Sequence, residues 1–166
     1  MAFQAVDWPL LSGEVELCDV GVPVAGGKAQ TIWLAVERRM GAPGLIRAWP
    51  YSGKPLKDIN HIAEEIRPNA MVITCPLGQF RAFKELGFAH RTEPLGAADS
   101  LPAVKTIEQK FRMMLRARHH RGLATGALHS YLAEHVFRHN AGILGWGEIE
   151  QFKRVMQALR QPRLSA

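Results

Sequence analysis

The sequence predicts an α/β domain with a mixed sheet built early and covered late by helices. Three observations carry this reading. Residues 15–49 hold three β-rich runs in succession, separated by glycine-containing breaks. Residues 56–91 alternate between helical and strand periods. Everything beyond the Pro/Gly-rich stretch 92–102 follows the helical period alone.

The elements follow in order. Residues 1–13 form a lead-in closing at Ser12-Gly13, and Val15 to Val24 alternate as a strand cut by Gly26-Gly27. Thr31 to Val36 is its expected hairpin partner, Gly41-Ala42-Pro43-Gly44 a turn, and Leu45 to Trp49 a third, antiparallel strand. Leu56, Ile59, Ala63 and Ile66 then fall at helical spacing, with Pro55 in the first turn and Arg67-Pro68 as the stop. Ala70 to Thr74 is a continuous apolar run, the pattern of a strand covered on both faces. Phe80, Phe83 and Leu86 line a short helix ended by Gly87, and Phe88 to Arg91 reads as a strand paired in parallel through this crossover. Val104, Ile107, Phe111, Met114 and Leu115 stripe the next helix. A further helix opens at Thr125 as a candidate cap and carries Leu128, Tyr131, Leu132 and Val136. After the break at Gly142 to Gly147, Ile149, Phe152, Val155, Met156 and Leu159 stripe the last helix.

With 166 residues, 47% hydrophobic and 22% charged, the chain has enough material for one domain with its own core and is unlike a disordered segment. Its net charge of +6 is compatible with a polyanionic partner but says nothing of fold. Two cysteines far apart in sequence make neither a CxxC metal motif nor a disulfide framework. The amino terminus has no basic stretch followed by an apolar one, and no apolar run approaches the ~20 residues of a membrane span. The expectation is a soluble, cytoplasmic protein with reduced thiols, away from membranes.

This order suits an RNase H-like fold, and the residues resemble the catalytic domain of ISXO-type insertion-sequence transposases, a DDE group whose third catalytic position is often Asn. That family's first strand reads approximately Val-Glu-Val-Asp-Glu, followed by a glycine-rich hairpin and Val-Glu-Arg. Here stand Val15-Glu16-Leu17-Cys18-Asp19, Gly26-Gly27-Lys28 and Val36-Glu37-Arg38. Thr74-Cys75 answers the family's Thr-Asp, and Gly87-Phe88-Ala89-His90 its Gly-aromatic-x-His. Lys105-Thr106-Ile107-Glu108 answers Asn-Thr-Ile-Glu. The run from Tyr131 through Glu134, His135, Phe137 and Arg138 to Asn140 answers Tyr-Leu-x-Glu-Phe-x-Phe-Arg-x-Asn. The resemblance is collinear from about residue 14 to 140. It implies a lead-in (1–13), an RNase H-like transposase-derived domain (14–140) and a C-terminal amphipathic helix (141–166) on the domain or at an interface.

The departures carry the functional expectation. By the resemblance, Cys18 and Cys75 stand at the two metal-binding aspartates, Lys105 at the catalytic asparagine, and only Arg116 stands for the family's helix lysine. Such enzymes use hard divalent ions to clamp attacking and leaving oxygens, whereas thiolates are soft ligands. The expectation is a catalytically dead, domesticated transposase domain, with Cys18, Cys75, Lys105 and Glu108 as degenerate positions and no cofactor. Only the short lead-in precedes Val15, so the zinc ribbon that the family usually carries for DNA recognition is expected to be absent as well. Three uses of the chain follow: a DNA-associated regulatory or accessory protein, a protein–protein or oligomerisation module, or a nuclease with altered metal chemistry. The family's multimeric habit extends to an expected homo-oligomer.

For Cys18 and Cys75 the alternatives are plain core, a disulfide or redox pair, a zinc site with His90 or Asp19, and residual hydrolysis by Asp19 with Glu108. Strand alternation places Asp19 on the face opposite Cys18. Lys105, Gln109, Arg112, Arg116 and His119 share a helix face, extended by Arg118, His120 and Arg121. That face is either ordinary solvated surface or a sequence-independent contact to the phosphates of duplex DNA. His135 replaces an aromatic and reads as a core or interface histidine. Glu37, Arg38 and Glu134 read as structural. On the last helix, Lys153, Arg154 and Arg160 flank a stripe that packs on the domain or on a second copy.

Overall fold

The computed structural model describes residues 6–24, 28–40, 42–94, 100–118 and 124–160. Strands β1 (Glu14–Pro23), β2 (Ala29–Arg39) and β3 (Ala42–Pro50) are followed by helix α1 (Pro55–Glu64) and strand β4 (Met71–Thr74). A 3-10 turn, Gly78–Arg81, runs into the one-turn helix α2 (Ala82–Glu85), then strand β5 (Ala89–Thr92). Helix α3 (Pro102–Arg118), a 3-10 turn (Thr125–Ala127), helix α4 (Leu128–Ile143) and helix α5 (Glu148–Arg160) complete the order.

The five strands form one sheet in the order β3-β2-β1-β4-β5. β1 and β3 run antiparallel to β2, while β4 is parallel to both β1 and β5. A three-stranded meander extended by two parallel crossover strands is the RNase H-like arrangement expected from the sequence. β1 lies at its centre, and Val15, Glu16 and Leu17 are all buried. The apolar run of β4 is likewise buried through Val72, Ile73 and Thr74.

Helices cover both faces. On one side Trp33 packs edge-on against Phe80 and donates its indole N–H to Asp58 of α1 at 2.9 Å, while Ile59 and Ile62 fill the space beneath. On the other, α3 crosses β1, β2 and β3, burying Val104, Ile107, Phe111 and Leu115 as their spacing predicts, and α4 lies on β3. The buried Asn140 of α4 joins the edge strand as backbone would. Its Oδ1 accepts from Ile46 N at 2.8 Å and its Nδ2 donates to Ile46 O at 3.0 Å. His139 adds a contact to Gly44 O at 2.8 Å.

Three local expectations are corrected. Gly44 is not in a turn: β3 already begins at Ala42, and Gly44 lies within it, against a register shift between Val36 and Arg38. The bulged residue there, Glu37, is buried. Its Oε1 accepts from Ser12 N and Oγ, and its Oε2 from Leu45 N and Arg39. A Cβ at position 44 would stand 2.6 Å from that carboxylate oxygen, so glycine is required for close approach rather than for turning. Second, α4 starts at Leu128 with Ala127 at its N-cap and no side-chain cap, because residues 125–127 form a 3-10 turn instead. Third, the apolar residues from Phe80 onward enter their helix through a 3-10 turn.

The lead-in is part of the fold from Val6 onward. Leu11 bridges Ile66 in parallel, and Arg47, itself buried, donates to Pro9 O at 2.7 Å and pairs with Glu65 at 3.0 Å. Trp8 stacks on Trp146 at 5.1 Å, and with Val6, Phe137 and Val155 they hold the root of α5. Ile149 and Phe152 remain 75% and 66% exposed. Among the described residues, no helix is long and apolar enough to cross a membrane.

Candidate functional site at the ends of two parallel strands

β1 and β4 pair in parallel as far as Leu17↔Thr74, and the next residue on each strand is a cysteine. Cys75 is buried and Cys18 half-buried. Their sulfurs stand 3.8 Å apart, with Cys18 donating to Cys75. That hydrogen bond, more than burial, pushes the Cys18 thiol up and draws the Cys75 thiol down. The backbone amides of Cys75 and Leu77 add to the pull on the Cys75 sulfur.

Asp19, which strand alternation sets on the face opposite Cys18, nevertheless comes close to it. Its Oδ1 lies 3.8 Å from Cys18 Sγ, and one oxygen of it is within 4.8 Å of both sulfurs. Alternation does aim Asp19 and Cys18 to opposite faces, since Asp19 registers with Trp33 and Cys18 with Leu34. β4 ends at Thr74 while β1 runs on to Pro23, so from Cys18 onward β1 has no β4 partner. Among the described residues, His90 and Glu108 do not enter this cluster.

His90 is tied to the site at one remove. Its Nε2 lies 2.9 Å from the Thr74 hydroxyl, which donates to Cys75 O at 3.0 Å. With that proton committed, His90 donates through Nε2 and its buried Nδ1 is left with no partner among the described residues. Burial, assisted by nearby Lys84, holds the imidazole below its ordinary range.

The entry to α3 holds a second functional-looking residue that sequence reasoning passed over. Glu16 is fully buried two residues before Cys18, and its Oε2 accepts from Val104 N at 2.9 Å and from the Ala103 amide. Glu93 Oε2 accepts from Leu101 N at 3.1 Å. Arg38 bridges the two carboxylates, 3.4 Å from Glu16 and 3.2 Å from Glu93. Burial raises the Glu16 carboxyl despite these partners, whereas the Leu101 amide and Arg38 hold Glu93 below the carboxylate range. Period two along β1 puts Glu16 on the Cys18 face, and that was the signal available.

The expected basic face of α3 is only partly free. Lys105 lies half-buried in the first turn. Arg112 grips Glu108 Oε1 through Nε at 2.8 Å and Nη2 at 2.7 Å, and also donates to Gly21 O. This fastens α3 to β1 and spends the charges of Arg112 and Glu108 on each other. Arg116 is exposed. The side chain of Arg118, and residues His119, His120 and Arg121, lie outside the described residues, as do the Gly26-Gly27 break and Gly41.

Two thiols and one carboxylate, reachable from solvent past Cys18, make a soft, partly anionic donor set. It lacks the oxygen ligands that octahedral Mg²⁺ requires. No family model and no curated protein matches the chain. Among solved structures it is similar to a chain in the cryoEM structure of simian T-cell lymphotropic virus intasome in complex with PP2A regulatory subunit B56 gamma. The identity is 10%, with 98% of this chain and 61% of that chain covered and a TM-score of 0.48. The protein thus spans about three-fifths of that chain's length.

Proposed function

We propose that the chain is a catalytically inactive, transposase-derived protein of the cytoplasm, related to the ISXO-type transposases, that works as a DNA-associated regulatory or accessory factor. The observation that carries this reading is the chemistry where the β1–β4 pairing ends. In an RNase H-like sheet a DDE enzyme needs carboxylates at these two places to hold hard divalent ions, and here the donors are Cys18 and Cys75. Lys105, at the position of the third catalytic residue, puts a cation in the first turn of α3. With hydrolysis and joining lost, the scaffold and its basic surface remain. Among the described side chains of that face, Arg116 is the exposed cation left to meet phosphate, since Arg112 is engaged by Glu108.

The test is binding of the purified protein to duplex DNA by fluorescence anisotropy at ~50 mM salt, where backbone contacts are strongest. Expected is a salt-sensitive association that weakens in Arg116→Glu. No association at that salt rejects DNA binding, and Mg²⁺-dependent nicking by the purified protein rejects inactivity.

The exposed Ile149 and Phe152 favour a second reading, a protein–protein or self-association module without nucleic acid. Deletion of residues 147–166 would then change the size-exclusion profile while leaving DNA unbound both before and after.

A further inference from the structure

We infer that Cys18, Cys75 and Asp19 form a binding site for a thiophilic divalent cation of the Zn²⁺ class, with one coordination position open to solvent. Two thiolates bound to tetrahedral Zn²⁺ at ~2.3 Å stand about 3.8 Å from each other, and a thiolate and a carboxylate oxygen about 3.5 Å. The sulfurs here are 3.8 Å apart and the Asp19 oxygen is 3.8 Å from Cys18 Sγ. All three donor atoms lie within 4.8 Å of one another. A cation placed among them needs small side-chain adjustments and no backbone rearrangement.

The surroundings are those of a metal site. The Leu77 amide donates to Cys75 O at 2.8 Å, which fixes the turn that carries the Cys75 sulfur. Cys18 and Cys75 directly follow Leu17 and Thr74, the last β1–β4 pair, so the cation would clasp β1 to the chain leaving β4 where their pairing stops. Cys18 and Asp19, both half-buried, give the entry path. Binding replaces the S–H donated from Cys18 to Cys75, and the thiol protons leave to solvent as the two metal–sulfur bonds form. Three protein ligands with a fourth, open position is the donor count of reactive rather than purely structural zinc sites. Softness excludes Mg²⁺ as the occupant. This site needs only its three donors and does not depend on DNA association.

The probe is Co²⁺ titrated into the reduced, metal-free, full-length protein, followed by Zn²⁺. Expected is one equivalent of Co²⁺ with sulfur-to-cobalt charge transfer and tetrahedral ligand-field absorption, displaced by Zn²⁺ and indifferent to excess Mg²⁺. Cys18→Ser, at the half-exposed position, weakens affinity by at least about 100-fold and Asp19→Asn by about 10-fold, the latter keeping the charge-transfer band. Cys75→Ser is interpreted only if far-ultraviolet circular dichroism shows it folded; Cys18→Ser carries the test if it is not. Absence of the sulfur-to-cobalt band, its survival in Cys18→Ser, or closure of a Cys18–Cys75 disulfide in the presence of Zn²⁺ would each overturn the inference.

Discussion

His135 offers the sharpest test of how this core is built. It stands on α4 with its ring 5.1 Å from Phe111 of α3, and its Nε2 is buried without a partner among the described residues. Burial first, then His139 and Lys110, push its pKa down to about 4, with Glu134 opposing. The sign follows from which state takes the proton. Above the ordinary imidazole value near 6.5 both states are neutral and His135 contributes no pH dependence. As pH falls below 6.5 the unfolded chain is protonated while the folded one is not, so stability falls until about pH 4, where the loss levels off. Between pH 7.5 and 5 the loss from this residue is about 2 kcal/mol. His135→Phe keeps the ring contact with Phe111 and removes both the titration and the unpaired nitrogen. At pH 7.5 the variant should be more stable by about 1 kcal/mol. At pH 5 the advantage should widen to about 3 kcal/mol. Urea denaturation of both proteins at the two pH values measures this. His90, also pushed down by burial, and Glu16, pushed up, act in both proteins and cancel in the difference. A difference that stays constant between pH 7.5 and 5 would refute the reasoning.

Other perturbations address the joints of the fold. Gly44→Ala places a methyl against the Glu37 carboxylate, which Ser12, Arg39 and Leu45 pin in place. It should cost about 3 kcal/mol by denaturant titration, with less than additive loss when combined with Glu37→Ala. Asn140→Ala strands both Ile46 backbone groups and should cost about 3 kcal/mol. Asn140→Asp, of equal size, should cost at least as much, because it sets a buried carboxylate oxygen against Ile46 O. Glu16→Ala leaves the Ala103 and Val104 amides without their acceptor and should lower the melting temperature and speed hydrogen exchange at the start of α3; unchanged exchange there would remove Glu16 as the cap.

Much of the architecture was legible because it rests on period. The continuous run at 70–74 is the buried parallel strand β4, and the stripe through Val104, Ile107, Phe111 and Leu115 is the buried face of α3. What stayed hidden depends on where elements end and on what they meet. Gly44 looks like a turn residue until the bulge at Glu37 is known, since a glycine needed for space and one needed for rotation read alike in sequence. The proximity of Cys18 and Cys75 followed from placing them on neighbouring strands. The approach of Asp19 did not, because alternation sets it on the other face of β1. Arg112 read as a free cation on a basic face because its partner in β1, the Gly21 carbonyl, is a backbone atom distant in sequence.

The three carboxylate contacts at the head of α3 have a consequence for how polyanions can approach. The start of a helix is where exposed amides and the positive end of the dipole most readily accept a phosphate. Here Glu16 and Glu93, steadied by Arg38, already occupy that role from within the chain. The helix carries its own anion at its head. A polyanion laid along α3 would find the amides of its first turn already taken by carboxylates of the chain itself.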